Sequence, residues 1–127
     1  MTEKRVAIVT GGSRGIGEAI VRQLAKDGLH VVAVARSADK LNALVADIQQ
    51  QGGSAEARTC DIADSKGLAA MIESVADAHG RIDVLVNNAG ITKDGLLLRM
   101  DDADFDSVID TNLKSAFVAM RSAARYI

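Results

Sequence analysis

Four times in succession the chain places a short apolar run ahead of a longer segment whose apolar residues recur every three or four positions. That alternation of period-two and period-3.6 patterning restricts the fold more than any other property of the sequence. Residues 5–9 read as a buried strand, and from Ile16 the apolar residues Ile16, Ile20 and Leu24 follow at helical spacing with Val21 beside them. Gly28 ends that helix, residues 30–35 form a second apolar strand, and Ser37 is placed to cap a helix with Leu41, Leu44, Val45 and Ile48 on one face. Residues 55–60 alternate Ala, Glu, Ala, Arg, Thr, Cys, the pattern of an edge strand wetted on part of one face. Asp64 then caps a third helix carrying Leu68, Met71, Ile72 and Val75, closed by Gly80, and residues 82–86 give the fourth strand. A turn at residues 87–90 and a mobile-looking segment at 91–100 lead to a long last helix from about residue 101, with Phe105, Val108, Ile109, Leu113 and Phe117 expected on its buried face.

Strands alternating with helices of this length predict right-handed crossovers and a parallel sheet covered on both faces. The expectation is an α/β, Rossmann-type doubly wound fold with strand order 3-2-1-4, forming one domain over residues 1–127. A 48% hydrophobic chain with only 2% aromatic residues must build its core from aliphatic side chains, as such sheets do. A net charge of −2 gives no basic surface for nucleic acid or an anionic membrane. The start is polar and its first apolar run is too short for a signal or a span, so a cytoplasmic protein is expected. Cys60, the one cysteine, excludes an intramolecular disulfide and reads as a small buried hydrophobe. His30 and His79 lie far apart in sequence without carboxylate or cysteine companions at ligand spacing, so both read as structural and no metal site is expected.

Function enters through the run T-G-G-S-R-G-I-G at residues 10–17, between the first strand and the first helix. Glycines at 11, 15 and 17 allow a tight turn and a close backbone approach to a pyrophosphate, which the positive end of the following helix would face. The spacing G-x-x-x-G-x-G differs from the commoner dinucleotide fingerprint, and strand-to-helix turns also use glycine for purely structural reasons. The motif alone leaves both readings open.

Taken with C-D-I at residues 60–62, N-N-A-G-I-T at 87–92, L-L-L-R-M at 96–100 and D-T-N-L at 110–113, the run resembles the short-chain dehydrogenase/reductase family over the whole chain. Within that family the segment at 87–100 is most similar to β-ketoacyl-[acyl-carrier-protein] reductases. The resemblance implies that Gly11, Gly12, Ser13, Arg14, Gly15, Ile16 and Gly17 cradle the cofactor pyrophosphate, Asp61 and Ile62 contact the adenine, and Asn88, Ala89 and Gly90 line the inner ribose and nicotinamide. Read from the residues alone, Asp61 could equally cap a loop and Asn87 and Asn88 could serve only turn geometry.

The position where an NAD-binding domain usually carries Asp or Glu, about 20 residues past the glycine motif, is held here by Arg36, 19 residues past Gly17. A guanidinium can bond a 2′-phosphate bidentately where a carboxylate would repel it. With Arg14 as a second cation this favours NADP(H), although both arginines also read as ordinary surface charges.

Asn112 falls in the apolar stripe of the last helix, where a buried amide must be hydrogen-bonded. By resemblance it is the catalytic asparagine that holds a water of the proton relay; an amide satisfied within a kinked helix is the plainer reading. The family's serine, tyrosine and the lysine four residues after that tyrosine are not in this sequence, whose one tyrosine is Tyr126. The chain is therefore expected to represent the first half of such a reductase and to be inactive by itself. The implied whole would use NADPH to reduce a 3-oxoacyl thioester, carried on acyl carrier protein or on coenzyme A, in fatty acid synthesis, and would assemble as a homo-dimer or homo-tetramer. An acetoacetyl-CoA reductase or another short-chain reductase is the near alternative. A non-catalytic NADP-binding protein is the alternative of another class.

Overall fold

The computed structural model describes residues 4–13, 15–89 and 101–127, apart from the side chains at 105, 108 and 110. Its elements run β1 (Val6–Thr10), α1 (Gly15–Lys26), β2 (His30–Ala35), α2 (Ala38–Gln50), β3 (Ser54–Thr59), α3 (Ser65–His79), β4 (Val84–Asn87), α4 (Asp102–Val108), a π-helical segment (Ile109–Lys114) and α5 (Ser115–Ala124). The strands pair in parallel in the order β3-β2-β1-β4, the doubly wound arrangement that the alternating pattern predicts.

All five residues of β1 are buried, because the strand has neighbours on both edges and helices over both faces. Successive side chains of a strand point to opposite faces, so the sheet divides the interior in two. Val6, Ile8, Val32 and Val34 pack with Leu68, Ile72 and Val75 of α3 and Val118 and Ala119 of α5. Ala7, Val9, Val31 and Ala33 pack on the other side with Val21 of α1 and Leu41, Leu44 and Ile48 of α2. Burying each such side chain contributes roughly 1.5–3 kcal/mol. β3 forms one edge of the sheet and is only partly covered, in keeping with its alternating sequence.

Local signals place the helix ends. Asp64 accepts a hydrogen bond from the Gly67 backbone N–H and Gly80 closes α3 in the left-handed conformation (φ 75°). Asp83 fixes the approach to β4 by accepting from the Val6 N–H at 2.8 Å and from Arg81 Nε and Nη2 at 2.8 and 2.7 Å. No helix among the described residues is long and apolar enough to cross a membrane.

Several expectations need correction. Ser37 occupies the N-cap of α2, but its side chain makes no capping bond. The fourth strand begins later than expected and is half-buried, since β4 has only β1 beside it among the described residues. Ile16 is 74% exposed, as the packed side of α1 runs through Gly17, Val21 and Ala25. Cys60 is partly exposed because it lies just past the end of β3, at the rim of a cleft. The last helix is interrupted by the π-helical segment and does not bury the expected stripe: Leu113 is 64% and Phe117 54% exposed, and Ile109 is also exposed. The small residues Ser115, Ala119, Ser122 and Ala123, with Val118, face inward instead and let α5 lie close against the core. Segment 91–100 and the side chains of Phe105 and Val108 lie outside the described residues.

The histidines are not isolated from carboxylates. Parallel pairing and the end of α3 bring Glu56 to both, and its Oε1 accepts from His30 Nε2 at 2.9 Å and from His79 Nε2. Oε2 accepts from Arg58 Nε at 3.0 Å. The bond from His30, followed by those from His79 and Arg58, outweighs burial and holds the Glu56 carboxyl down from 4.5 to about 2. A carboxylate whose folded pKa is depressed adds stability that is complete above its unfolded value and disappears as the pH falls toward the folded one. Glu56→Gln is therefore expected to destabilise the protein at neutral pH, with the deficit against the parent shrinking between pH 4.5 and about 2; denaturant unfolding of both proteins across that range checks it.

Candidate functional site

The C-terminal ends of β1, β2 and β4 and the loop after β3 open onto a cleft of about 530 Å³. This is where the strand order reverses, between β1 and β4, and where doubly wound sheets place their ligands. Its floor is made by the turn after β1. There Gly11 takes a positive φ of 68°, and a Cβ on Gly17 would stand 1.9 Å from the Gly11 carbonyl oxygen. Only glycine at 17 lets the first turn of α1 close over the end of β1.

A second turn, after β4, is tied to the first. The Thr10 hydroxyl donates to the Val86 carbonyl at 3.3 Å and accepts from the Asn88 and Ala89 backbone N–H groups at 3.2 and 3.1 Å. The Asn88 side-chain amide donates to the Gly11 carbonyl at 3.1 Å. The buried Thr10 side chain thus sets the distance between the two turns, a role not assigned to it from sequence; a threonine directly before the glycines, at the end of an otherwise apolar strand, was the available signal.

The structure brings Gly11, Ser13, Arg36, Asp61, Ile62, Asn88 and Ala89 together around the cleft. Gly12 and Gly17 lie beneath it as buried backbone, Gly12 donating to the Val34 carbonyl at 3.1 Å, while Gly15 and Ile16 begin α1 at the surface. Arg14 and Gly90 lie outside the described residues. Asn112 does not line the cleft; its neighbour Thr111 does, and the Asn112 carbonyl accepts from the Ser115 hydroxyl at 3.3 Å inside the π-helical segment.

Sequence reasoning passed over Lys40 and Asp39, which α2 carries to the same rim as Arg36. Their positions in the first turn of a helix that starts just past β2 could have signalled it. Cys60 also lines the cleft; burial pushes its thiol up, with the carboxylates of Asp64 and Asp61 adding to the effect. The cleft thus presents the glycine turn, the cations Arg36 and Lys40 with the Asp39 carboxylate between them in sequence, and the pairs Asp61–Ile62 and Asn88–Ala89.

Two substitutions probe the floor. Thr10→Val keeps the shape but leaves two backbone N–H groups without their acceptor, so a loss of about 1–3 kcal/mol is expected in denaturant unfolding. Gly17→Ala drives a methyl into a carbonyl that cannot yield unless the turn moves, and the same measurement should register a loss of about 1–3 kcal/mol from overpacking.

Residues 5–127 match the family model described as short chain dehydrogenase. The chain is 46% identical over 124 residues to the 3-oxoacyl-[acyl-carrier-protein] reductase FabG of Staphylococcus aureus, covering 97% of this chain and 50% of that protein. It is 43% identical over 113 residues to the short-chain reductase protein NovJ of Streptomyces niveus, covering 89% of this chain and 43% of that one. Among solved structures, a metagenomic short-chain oxidoreductase in complex with NADP superposes with a TM-score of 0.91 at 46% identity, over 96% of this chain and 56% of its own. A dehydrogenase/reductase from Sinorhizobium meliloti does so with a TM-score of 0.93 at 40% identity, over 100% of this chain and 50% of its own. The chain spans about half the length of the curated relatives it matches.

Proposed function

This chain belongs to the short-chain dehydrogenase family, and from that membership we propose that it is the cofactor-binding part of an NADPH-dependent reductase acting on a 3-oxoacyl thioester. The observation that carries the proposal is the convergence of the glycine turn, Asp61, Asn88 and Arg36 on one cleft at the strand-order reversal. The likeness to FabG supports the thioester as substrate and acyl carrier protein as its carrier. The neighbour in complex with NADP supports the cofactor.

The residues fit that cofactor. The backbone from Gly11 to Gly17 and the start of α1 would hold the pyrophosphate, with glycine where a Cβ would close the turn. Asp61 and Ile62 would flank the adenine, and Asn88, Ala89 and Gly90 the inner ribose and nicotinamide. Arg36, with Lys40 beside it on the rim and Arg14 from the turn, would take the 2′-phosphate, which the carboxylate common at this position would repel. When bound, NADPH supplies a hydride for the ketone carbon. Asn112 serves as the catalytic asparagine that holds a water of the proton relay, and the π-helical segment around it supports this reading, since such segments occur often at functional sites. The outward apolar side chains of Leu113, Phe117 and Met120 support assembly of the whole protein as a homo-dimer or homo-tetramer.

Arg36→Asp should weaken NADPH binding at least tenfold more than NADH binding, read by fluorescence titration of both cofactors; equal losses would overturn the assignment of the 2′-phosphate. Turnover separates the remaining readings. Cofactor oxidation by the full protein with a 3-oxoacyl group on acyl carrier protein supports the proposal. Turnover confined to the coenzyme A thioester would favour an acetoacetyl-CoA reductase, and NADPH binding with no ketone-dependent oxidation would favour a non-catalytic binding protein.

A further inference from the structure

At the end of the sheet opposite the cleft, three potential ligand side chains from three elements point at one place. His30 opens β2, Glu56 lies in β3, and His79 is the last residue of α3. Register explains the meeting: His30 pairs with Ser54, so His30, Ser54 and Glu56 share the face of the sheet that α3 covers. One nitrogen from each imidazole and one oxygen of Glu56 all lie within 4.8 Å of one another. The two rings sit 4.6 Å apart, tilted by 43°, converging on the carboxylate instead of stacking flat.

We propose that His30 Nε2, Glu56 Oε1 and His79 Nε2 form a binding site for a divalent transition-metal ion, zinc being the ion best matched to the donors. Two imidazoles and one carboxylate are a donor set that zinc accepts with water as its fourth ligand. Zinc–nitrogen and zinc–oxygen bonds of about 2.0–2.1 Å place tetrahedral ligands roughly 3.3 Å apart. The 2.9 Å separation of His30 Nε2 from Glu56 Oε1 therefore needs to open by only a few tenths of an ångström. Without metal the carboxylate can only accept, so each Nε2 presents a proton to it; on binding, both Nε2 atoms give up those protons and turn their lone pairs, with Oε1, to an ion seated between the three atoms.

The surroundings fit a ligand set. Ser54 Oγ stands 2.6 Å from His30 Nδ1 and can accept its proton when Nε2 is given to the metal, fixing both tautomer and ring. Arg58 occupies Oε2 at 3.0 Å and is itself held on Ser74 at 3.0 Å, leaving Oε1 as the single coordinating oxygen. The three side chains are between 12% and 26% exposed, enough to admit an ion and one water. Bound there, the ion would join the exposed edge strand to the start of β2 and the end of α3, far from the strand ends that line the cleft.

The test uses the untagged, chelator-stripped full protein titrated with Co²⁺, followed by Zn²⁺. The expected result is one cobalt per chain with the intense visible bands of a tetrahedral site, displaced by zinc, and a zinc-dependent rise in the unfolding midpoint. His79→Gln and His30→Gln should each abolish the bands while retaining native circular dichroism, and Ser54→Ala should weaken affinity about 10–100-fold. Absence of saturable cobalt binding in the parent protein would overturn the proposal. So would bands that survive in both histidine variants, and so would a Ser54→Ala protein with unaltered affinity should the histidine variants not fold.

Discussion

The close passage of two backbone turns at the end of β1 is the constraint on which the cleft depends. The Gly11 carbonyl is approached by the backbone of Gly17, where no side chain fits, and next to it by the Asn88 amide, which a Cβ on Gly17 would also strike. Thr10, one residue earlier, binds the same second turn through two backbone N–H groups. None of these contacts is strong in isolation, since a net hydrogen bond contributes about 0.5–1.5 kcal/mol. Together they fix the position of α1 and of the loop after β4 relative to a strand that cannot itself move, buried as it is on both faces.

Much of this was legible in the chain. Parallel sheets and their covering helices write themselves as continuous apolar runs followed by amphipathic segments, so strand order and the position of the cleft followed from the pattern of β1 through α3. The glycines and Arg36 were legible because each answers a local requirement, a turn and a charge at a strand end, whereas Asp61 and Asn88 were singled out by the family resemblance alone. Relations between distant residues escaped. Glu56 and His79 are 23 positions apart, and only the register of β3 and the length of α3 bring them together. Lys40 escaped because a helix's first turn can face either solvent or the cleft, which the loop before it decides.

The last helix shows a different failure. A helical wheel assumes one phase from end to end, but a π turn holds an extra residue and rotates all later turns of the helix by about 100°, the angle one residue subtends at 3.6 per turn. Ile109, Leu113 and Phe117, which one continuous phase would bury together, are all exposed. Hydrophobicity also misled, because the inward side of α5 is chosen for small size, with Ser115, Ala119 and Ser122 allowing close approach while larger apolar groups stay outside.

The unequal halves of the interior have a consequence for how the chain finds its alignment. On one side β1 contributes Val6 and Ile8, on the other Ala7 and Val9, and β2 likewise gives two valines to the first and a valine and an alanine to the second. Sliding β1 by a single residue would exchange these sets, pressing isoleucine into the space shaped for alanine and leaving a void where the isoleucine had been. Both errors are costly at once. The asymmetry in side-chain volume thus acts as a proofreading device: an uninterrupted run of aliphatic residues, which by polarity alone could sit in either alignment, is accepted in only one.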